Sequence, residues 1–104
     1  MLVILTEVQE YLAPRKGSTE RQRAYSLREV SVNPSHVVCL REDESMKRSL
    51  TEGLLPDGLD NRQRFTRVFL ERGQSGIDLV VVGAPEQIRQ KIYENAKERE
   101  LLRG

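Results

Sequence analysis

The stretch Arg64–Gly83, RFTRVFLERGQSGIDLVVVG, constrains the fold of this chain more than any other. Two runs rich in β-branched and aromatic residues, Arg64–Glu71 and Ile77–Val82, flank Gly73-Gln74-Ser75-Gly76. A glycine-containing turn between two such runs predicts an antiparallel strand pair. The second run is aliphatic apart from Asp78, the pattern of the most buried strand in a sheet. The first run is mixed. Alternation puts Thr66, Val68 and Leu70 on one face and Phe65, Arg67, Phe69 and Glu71 on the other. The Thr/Val/Leu face can serve a core. The Phe/Arg face either lies under a second covering element or meets a ligand.

The remaining elements arrange themselves around this pair. Met1–Glu10, opening MLVILTEV, reads as a first strand. Ala13–Arg23, APRKGSTERQR, holds Pro, Gly, Ser, Thr and four basic residues and reads as a flexible basic loop. Leu27–Val32 alternates as a half-buried strand, and Asn33-Pro34-Ser35 makes a turn, because Pro34 holds Asn33 extended. His36–Arg41 then reads as a third strand, hairpin mate of the second. Met46, Leu50 and Leu54 form an i, i+4 stripe behind Asp43 and Glu44, with Gly53 after it, which predicts a short helix. Pro85 suits the first position of a closing helix whose apolar line is Ile88, Ile92 and Ala96, with Tyr93 beside it and an end over residues 98–104 that has little to bury. The expectation is one α+β domain over residues 1–104: a small antiparallel sheet of about five strands, a short middle helix and a C-terminal helix.

Composition limits what such a domain can do. Hydrophobic residues are 38% and charged residues 32% of 104, a modest core under a large charged surface. That imbalance points either to flexible polar segments or to a core completed by other subunits. Seventeen Lys and Arg meet 16 Asp and Glu, so no global basic field exists to grip nucleic acid, and an anion site must come from local clustering. No apolar run reaches the ~20 residues of a membrane span, and the N-terminus lacks the basic region and cleavage site of a signal peptide. A reducing cytoplasm is the expected location.

Catalytic chemistry finds little to use. Cys39 and His36 are the only residues of their types, which excludes an internal disulfide and a cysteine-rich zinc site. On a strand their odd spacing puts them on opposite faces, so they form no dyad, and Cys39 reads as a small buried thiol. HxxxH, CxxC, GxGxxG and the Walker lysine motif are absent. RGQSG lies between strands rather than at a helix start, so it makes no phosphate cradle. No enzyme, metal or cofactor is expected. Binding is better supported. Asn61–Gly73 carries four arginines against one Glu. Phe65 and Phe69 flanking Arg67 would suit stacking on a base with a guanidinium at a phosphate. The competing readings are core for the two rings and a cross-strand salt bridge for Arg67.

The skeleton LVILTEV … REVSVNPSHVVCLRED … FTRVFLERG … IDLVVVGAPEQIRQKIY is similar to the FlbD-type small domain of flagellar proteins, over about two thirds of the chain. With the middle segment LLPDGLDNRQRFTRVFLERGQSGIDLVVVG, residues 27–92 resemble the phage anti-defence sponges that counter the Thoeris system by sequestering its cyclic ADP-ribose-type signal. That resemblance implies a non-enzymatic protein of the host cytoplasm that binds a cyclic nucleotide second messenger, with cyclic oligonucleotides as further ligands. It implies a symmetric homo-oligomer, a dimer or a higher assembly such as a hexamer, with sites between subunits. Phe65 would stack the base while Arg41, Arg67 and Arg72 meet phosphates, and Arg28 and Gln74 complete the candidate set. The alternative is a regulatory domain of the FlbD or CsrA kind, binding RNA or a protein through a sheet edge and the Arg15/Lys16/Arg21/Arg23 arm.

Overall fold

The structure, a computed structural model, describes the backbone of residues 2–14, 17 and 19–102, with the side chains of all these except Arg72 and residues 95–102. Five strands form a single antiparallel sheet: β1 (Val3–Pro14), β2 (Arg21–Val32), β3 (Val37–Glu42), β4 (Phe65–Arg72) and β5 (Ser75–Val82), in the order β2-β1-β5-β4-β3. Helix α1 (Glu44–Thr51) follows β3, and helix α2 (Pro85–Leu102) follows β5. The expected α+β architecture is the one observed.

The central hairpin forms as its residues dictate. Arg72 pairs with Ser75, so only Gly73 and Gln74 remain in the turn, and Gly73 takes the left-handed φ of 63° that such a tight turn requires. Register then defines the two faces. One row runs Glu42–Thr66–Val81–Glu7–Arg28 and the next runs Arg41–Arg67–Val80–Val8–Leu27. Residues of a row share a face and adjacent rows alternate.

Helix α2 covers the first face. Val3, Leu5, Val32, Val68, Val81 and Ile88 form its buried cluster, with Ile92 packed against it. Thr66, fully buried there, satisfies its hydroxyl by donating to the Gly83 carbonyl at 2.8 Å. Tyr93, one residue past Ile92 and so about 100° round the helix, is 65% exposed. Ala96 lies outside the residues whose side chains are described. Helix α1 and the chain after it cover part of the second face. There Val8, Phe65 and Val80 pack under Met46, Leu50 and Leu55. Asp43 caps α1, accepting from the Met46 N–H at 2.8 Å, and Gly53, at φ 76°, ends it. The third residue of the expected stripe, Leu54, falls beyond the helix and is exposed. Leu55 fills the space instead.

Three expectations are corrected. The region Ala13–Arg23 is not loop throughout: β1 runs through Pro14 and β2 begins at Arg21, paired to it. Gln22 to Ser26 carry backbone hydrogen-bonding capacity that pairs with β1 whatever the polarity of their side chains, which hid the strand from composition. Arg15, Lys16 and Ser18 lie outside the described residues. Second, β2 and β3 are not hairpin mates. Asn33 caps a short 3-10 turn, Pro34–His36, through its side chain, and that turn carries the chain across to the opposite edge of the sheet. Third, Cys39 is exposed, on an edge strand whose register shifts between Val37 and Cys39. Among the described residues no helix is long and apolar enough to cross a membrane.

Candidate functional site

The proposed stacking ring is the first casualty of the geometry. Phe65 is 0% exposed, closed in by Met46, Leu50 and Leu55 from α1 and its following loop. It is core, and no ligand reaches it without displacing the helix. Two registers along the same face, beyond the cover of α1, Phe69 is half-buried and lies in a row with Cys39 and Asp78. It is Phe69 that keeps an open side.

Arg67 sits between them, in the row with Arg41 and Val80. Its Nη2 meets Asp43 Oδ2 at 2.8 Å, its Nε donates to the same oxygen at 3.0 Å, and its Nη1 forms a close ion pair with Asp78. The hydrogen bond to Asp78, with that to Asp43, raises its pKa further above the ordinary arginine value in spite of partial burial. Burial by itself would raise the pKa of Asp43. Hydrogen bonds from Ser45 Oγ, the Met46 N–H and Arg67 outweigh it, and the net shift is downward. The salt-bridge reading of Arg67 is therefore the observed one. Its charge is shared by two carboxylates, and it is unavailable as a first-choice phosphate ligand.

Arg41 differs. Its guanidinium carbon lies 5.9 Å from the centroid of the Phe69 ring, a cation–π distance, and no carboxylate pairs with it among the described residues. Together with Gln74 of the neighbouring turn and Ser75 and Gly76 at the start of β5, Arg41 and Phe69 line a cleft of about 510 Å³, within the size range of small-molecule sites. Glu71 and Asp78 also border it. A larger cleft of about 650 Å³ opens on the other side of Arg67. Its charged lining is Glu7, Glu10 and Asp78 against Arg23 and Arg67, and both of these arginines are already ion-paired.

Of the six candidate residues, then, Arg41 and Gln74 share one cleft, and Arg67 adjoins it already paired. Phe65 is removed to the core. Arg28 is removed as well: its row places it on the α2-side face of β2, while Arg41 faces the other way on β3. Four strand steps at ~4.8 Å separate the two edges, roughly 19 Å. The side chain of Arg72 lies outside the described ones. Phe69 is the residue that sequence reasoning passed over in favour of Phe65. The signal for preferring it was present: Phe65 is the ring nearer the helix-bearing segment Asp43–Leu55, where cover comes from.

Elsewhere Arg64 donates to Glu42 at 2.7 Å and 2.8 Å and reaches Glu86 at 3.3 Å, tying β3, β4 and the start of α2. Among the described residues no group of three or more His, Cys, Asp or Glu side chains could hold a metal ion. Compared with known families, with curated proteins and with solved structures, the chain finds no match in any of the three.

Proposed function

We propose that this protein binds a cyclic nucleotide signal and holds it intact, the sequestering role of an anti-defence sponge that the sequence resemblance implies. The observation that carries the reading is Arg41: a guanidinium held over the ring of Phe69, free of any carboxylate among the described residues, at the edge of a cleft of nucleotide size. Such a pair offers a planar surface for a base and a forked donor for a phosphate oxygen. Gln74 and the backbone around Gly76 add hydrogen-bonding groups without adding charge. Arg67 ion-pairs with Asp78 and so weakens the negative field that Asp78 and Glu71 set against an anion from the cleft wall. One free guanidinium fits one phosphate group, so the ring face carries the rest of the recognition.

The test is calorimetric titration with cyclic ADP-ribose isomers and with cyclic di- and trinucleotides, on the wild type, Arg41→Ala and Phe69→Leu. Binding by the wild type is expected, weakened roughly tenfold or more by Arg41→Ala, on the scale of a charge-assisted hydrogen bond. Phe69→Leu keeps the packing and removes the π-face, and should weaken binding similarly. Bound ligand released by heating should be chemically unchanged. Absence of heat and of any thermal shift with every compound would sink the reading. A mobility shift with RNA at physiological salt would favour the regulatory-domain alternative instead.

A further inference from the structure

The β1–β2 ribbon is unusual in how little of it is held by the rest of the sheet. Its strands pair over their full 12 residues, from Val3↔Val32 to Pro14↔Arg21, yet β1 pairs with β5 only at Glu7 and Val8. From Gln9 onward it runs as two strands alone, with Tyr11 50% and Leu12 58% exposed. The molecule is correspondingly long, 61 × 32 × 19 Å, with a radius of gyration of 16.0 Å, against ~13 Å for a compact chain of this length. Two-stranded ribbons are marginal in water, and three or more strands with an apolar face are needed for independent stability.

The outer edge of that ribbon is β2, and neither a proline nor a bulge interrupts it. It has no proline, no register shift and 12 consecutive residues in regular pairing. The opposite edge, β3, is six residues long and carries an irregularity at Val37/Cys39, the kind of feature that protects an edge. A long regular edge with unpaired N–H and C=O groups is a template for another strand.

We propose that β2 pairs antiparallel with β2 of a second copy about a two-fold axis through Ser26, making one continuous sheet across the dimer. The order of side chains along the strand favours this occupant and this register over the Tyr25-centred one, which would pair Glu29 with Arg21 but set Arg23 against Leu27. With Ser26 facing its own symmetry mate, Arg23 stands opposite Glu29 of the second copy, and Tyr25 opposite Leu27, each twice. Glu29 has no cationic partner among the described residues, whereas Arg23 reaches only the exposed Glu10, at 3.1 Å, so the second copy completes both charges. Tyr25 and Leu27 already pack beside the cluster under α1, and the pairing extends that apolar strip across the axis. Centring the axis on Arg28 would set two guanidinium groups face to face. Centring it on Leu27 would leave Arg23 opposite Ser31 and make no ion pair. Isologous pairing is closed, so it ends at a dimer and consumes both exposed β2 edges. The inference stands apart from the ligand reading, since none of these residues borders the Arg41 cleft.

Sedimentation equilibrium in the micromolar range tests it, with cross-linking to read the register. Wild type should be a concentration-dependent dimer. Arg23→Glu and Glu29→Arg should each weaken dimerisation by roughly tenfold, because like charges then face each other twice, and the double exchange should restore it. In a Cys39→Ser background, Ser26→Cys should form an intermolecular disulfide on mild oxidation, while Ala24→Cys, which would face Arg28, should not. A wild type that stays monomeric at high micromolar concentration overturns the proposal. So does failure of the double exchange to recover, or cross-linking by Ala24→Cys as fast as by Ser26→Cys.

Discussion

Two phenylalanines four residues apart on one strand carry opposite duties, and the difference comes from what stands above each. Phe65 lies under α1 and contributes about 1.5–3 kcal/mol by burial. Phe69 lies past the end of that cover and keeps a face for Arg41. Phe65→Ala should therefore cost about 3–5 kcal/mol in denaturant unfolding, the range of a large-to-small change in a closed core. Phe69→Leu should cost less than about 1.5 kcal/mol, as a volume-conserving change at a half-buried position. Equal costs at the two sites would contradict this division. Gly83 is a second residue whose identity is forced. Its φ is 128°, and an added Cβ would stand 3.0 Å from Ile88 Cδ1. Gly83→Ala should lower the unfolding free energy by about 1–3 kcal/mol, from backbone strain and crowding of the α2 contact together.

At the scale of elements, α1 is the piece with the least of its own to stand on. Eight residues cannot hold a helix in water without tertiary help, and the help is concentrated in Asp43. Its carboxylate caps the helix, accepts from Ser45, and takes the Arg67 guanidinium from the sheet below. Lys47 adds a tie to the returning chain by donating to the Gln63 carbonyl at 3.0 Å. Asp43→Ala should then cost about 2–3 kcal/mol, a lost cap plus a lost charge-assisted bond. The pH dependence has a defined sign. The folded pKa of Asp43 is lowered, so its contribution is fully present above the unfolded carboxyl value, near 4. It is lost as the pH falls through the lower folded value. Acid unfolding of the wild type should be steeper below pH ~4 than that of Asp43→Asn. Parallel acid limbs for the two would show that Asp43 is not the responsible group.

At the scale of the molecule, the division is between a covered sheet and a projecting ribbon. The two buried clusters lie on opposite faces of the sheet, one under α2 and one under α1. Beyond Glu10 and Tyr25 the ribbon adds mainly exposed positions. Replacing Tyr11–Ala24 by an Asn-Gly turn, which suits a two-residue hairpin, should leave a folded chain with its melting temperature within a few degrees of wild type. Loss of cooperative unfolding would mean that the ribbon supports the core. Hydrogen exchange offers an independent check: amides of the ribbon tip should exchange fastest, and those of β5 slowest.

Several of these features were legible in the residues before any coordinates. The β4–β5 hairpin, the α1 stripe at Met46 and Leu50 behind its acidic front, and α2 opening at Pro85 all follow from local pattern. Alternation and capping act within a few residues, so the sequence carries them openly. Strand partnership was not legible in the same way. Asn33-Pro34-Ser35 signals a reversal whether the next strand pairs beside the last one or crosses to the far edge, and β3 does the latter. The polar stretch of β2 disguised a strand because backbone pairing does not depend on side-chain polarity.

By itself, then, the sequence determined most of the elements and the faces of their side chains, because both depend on periods of 2 and 3.6 residues. Only the tertiary structure decided which faces are covered. Cover depends on where α1 and α2 come to rest, and a shift of one turn along β4 exchanges a core ring for an open one. That is why the alternating pattern of RFTRVFLERG could present Phe65 and Phe69 as equals. The packing of Met46, Leu50 and Leu55 made the first a core residue and left Arg41 and Phe69 together at the open cleft.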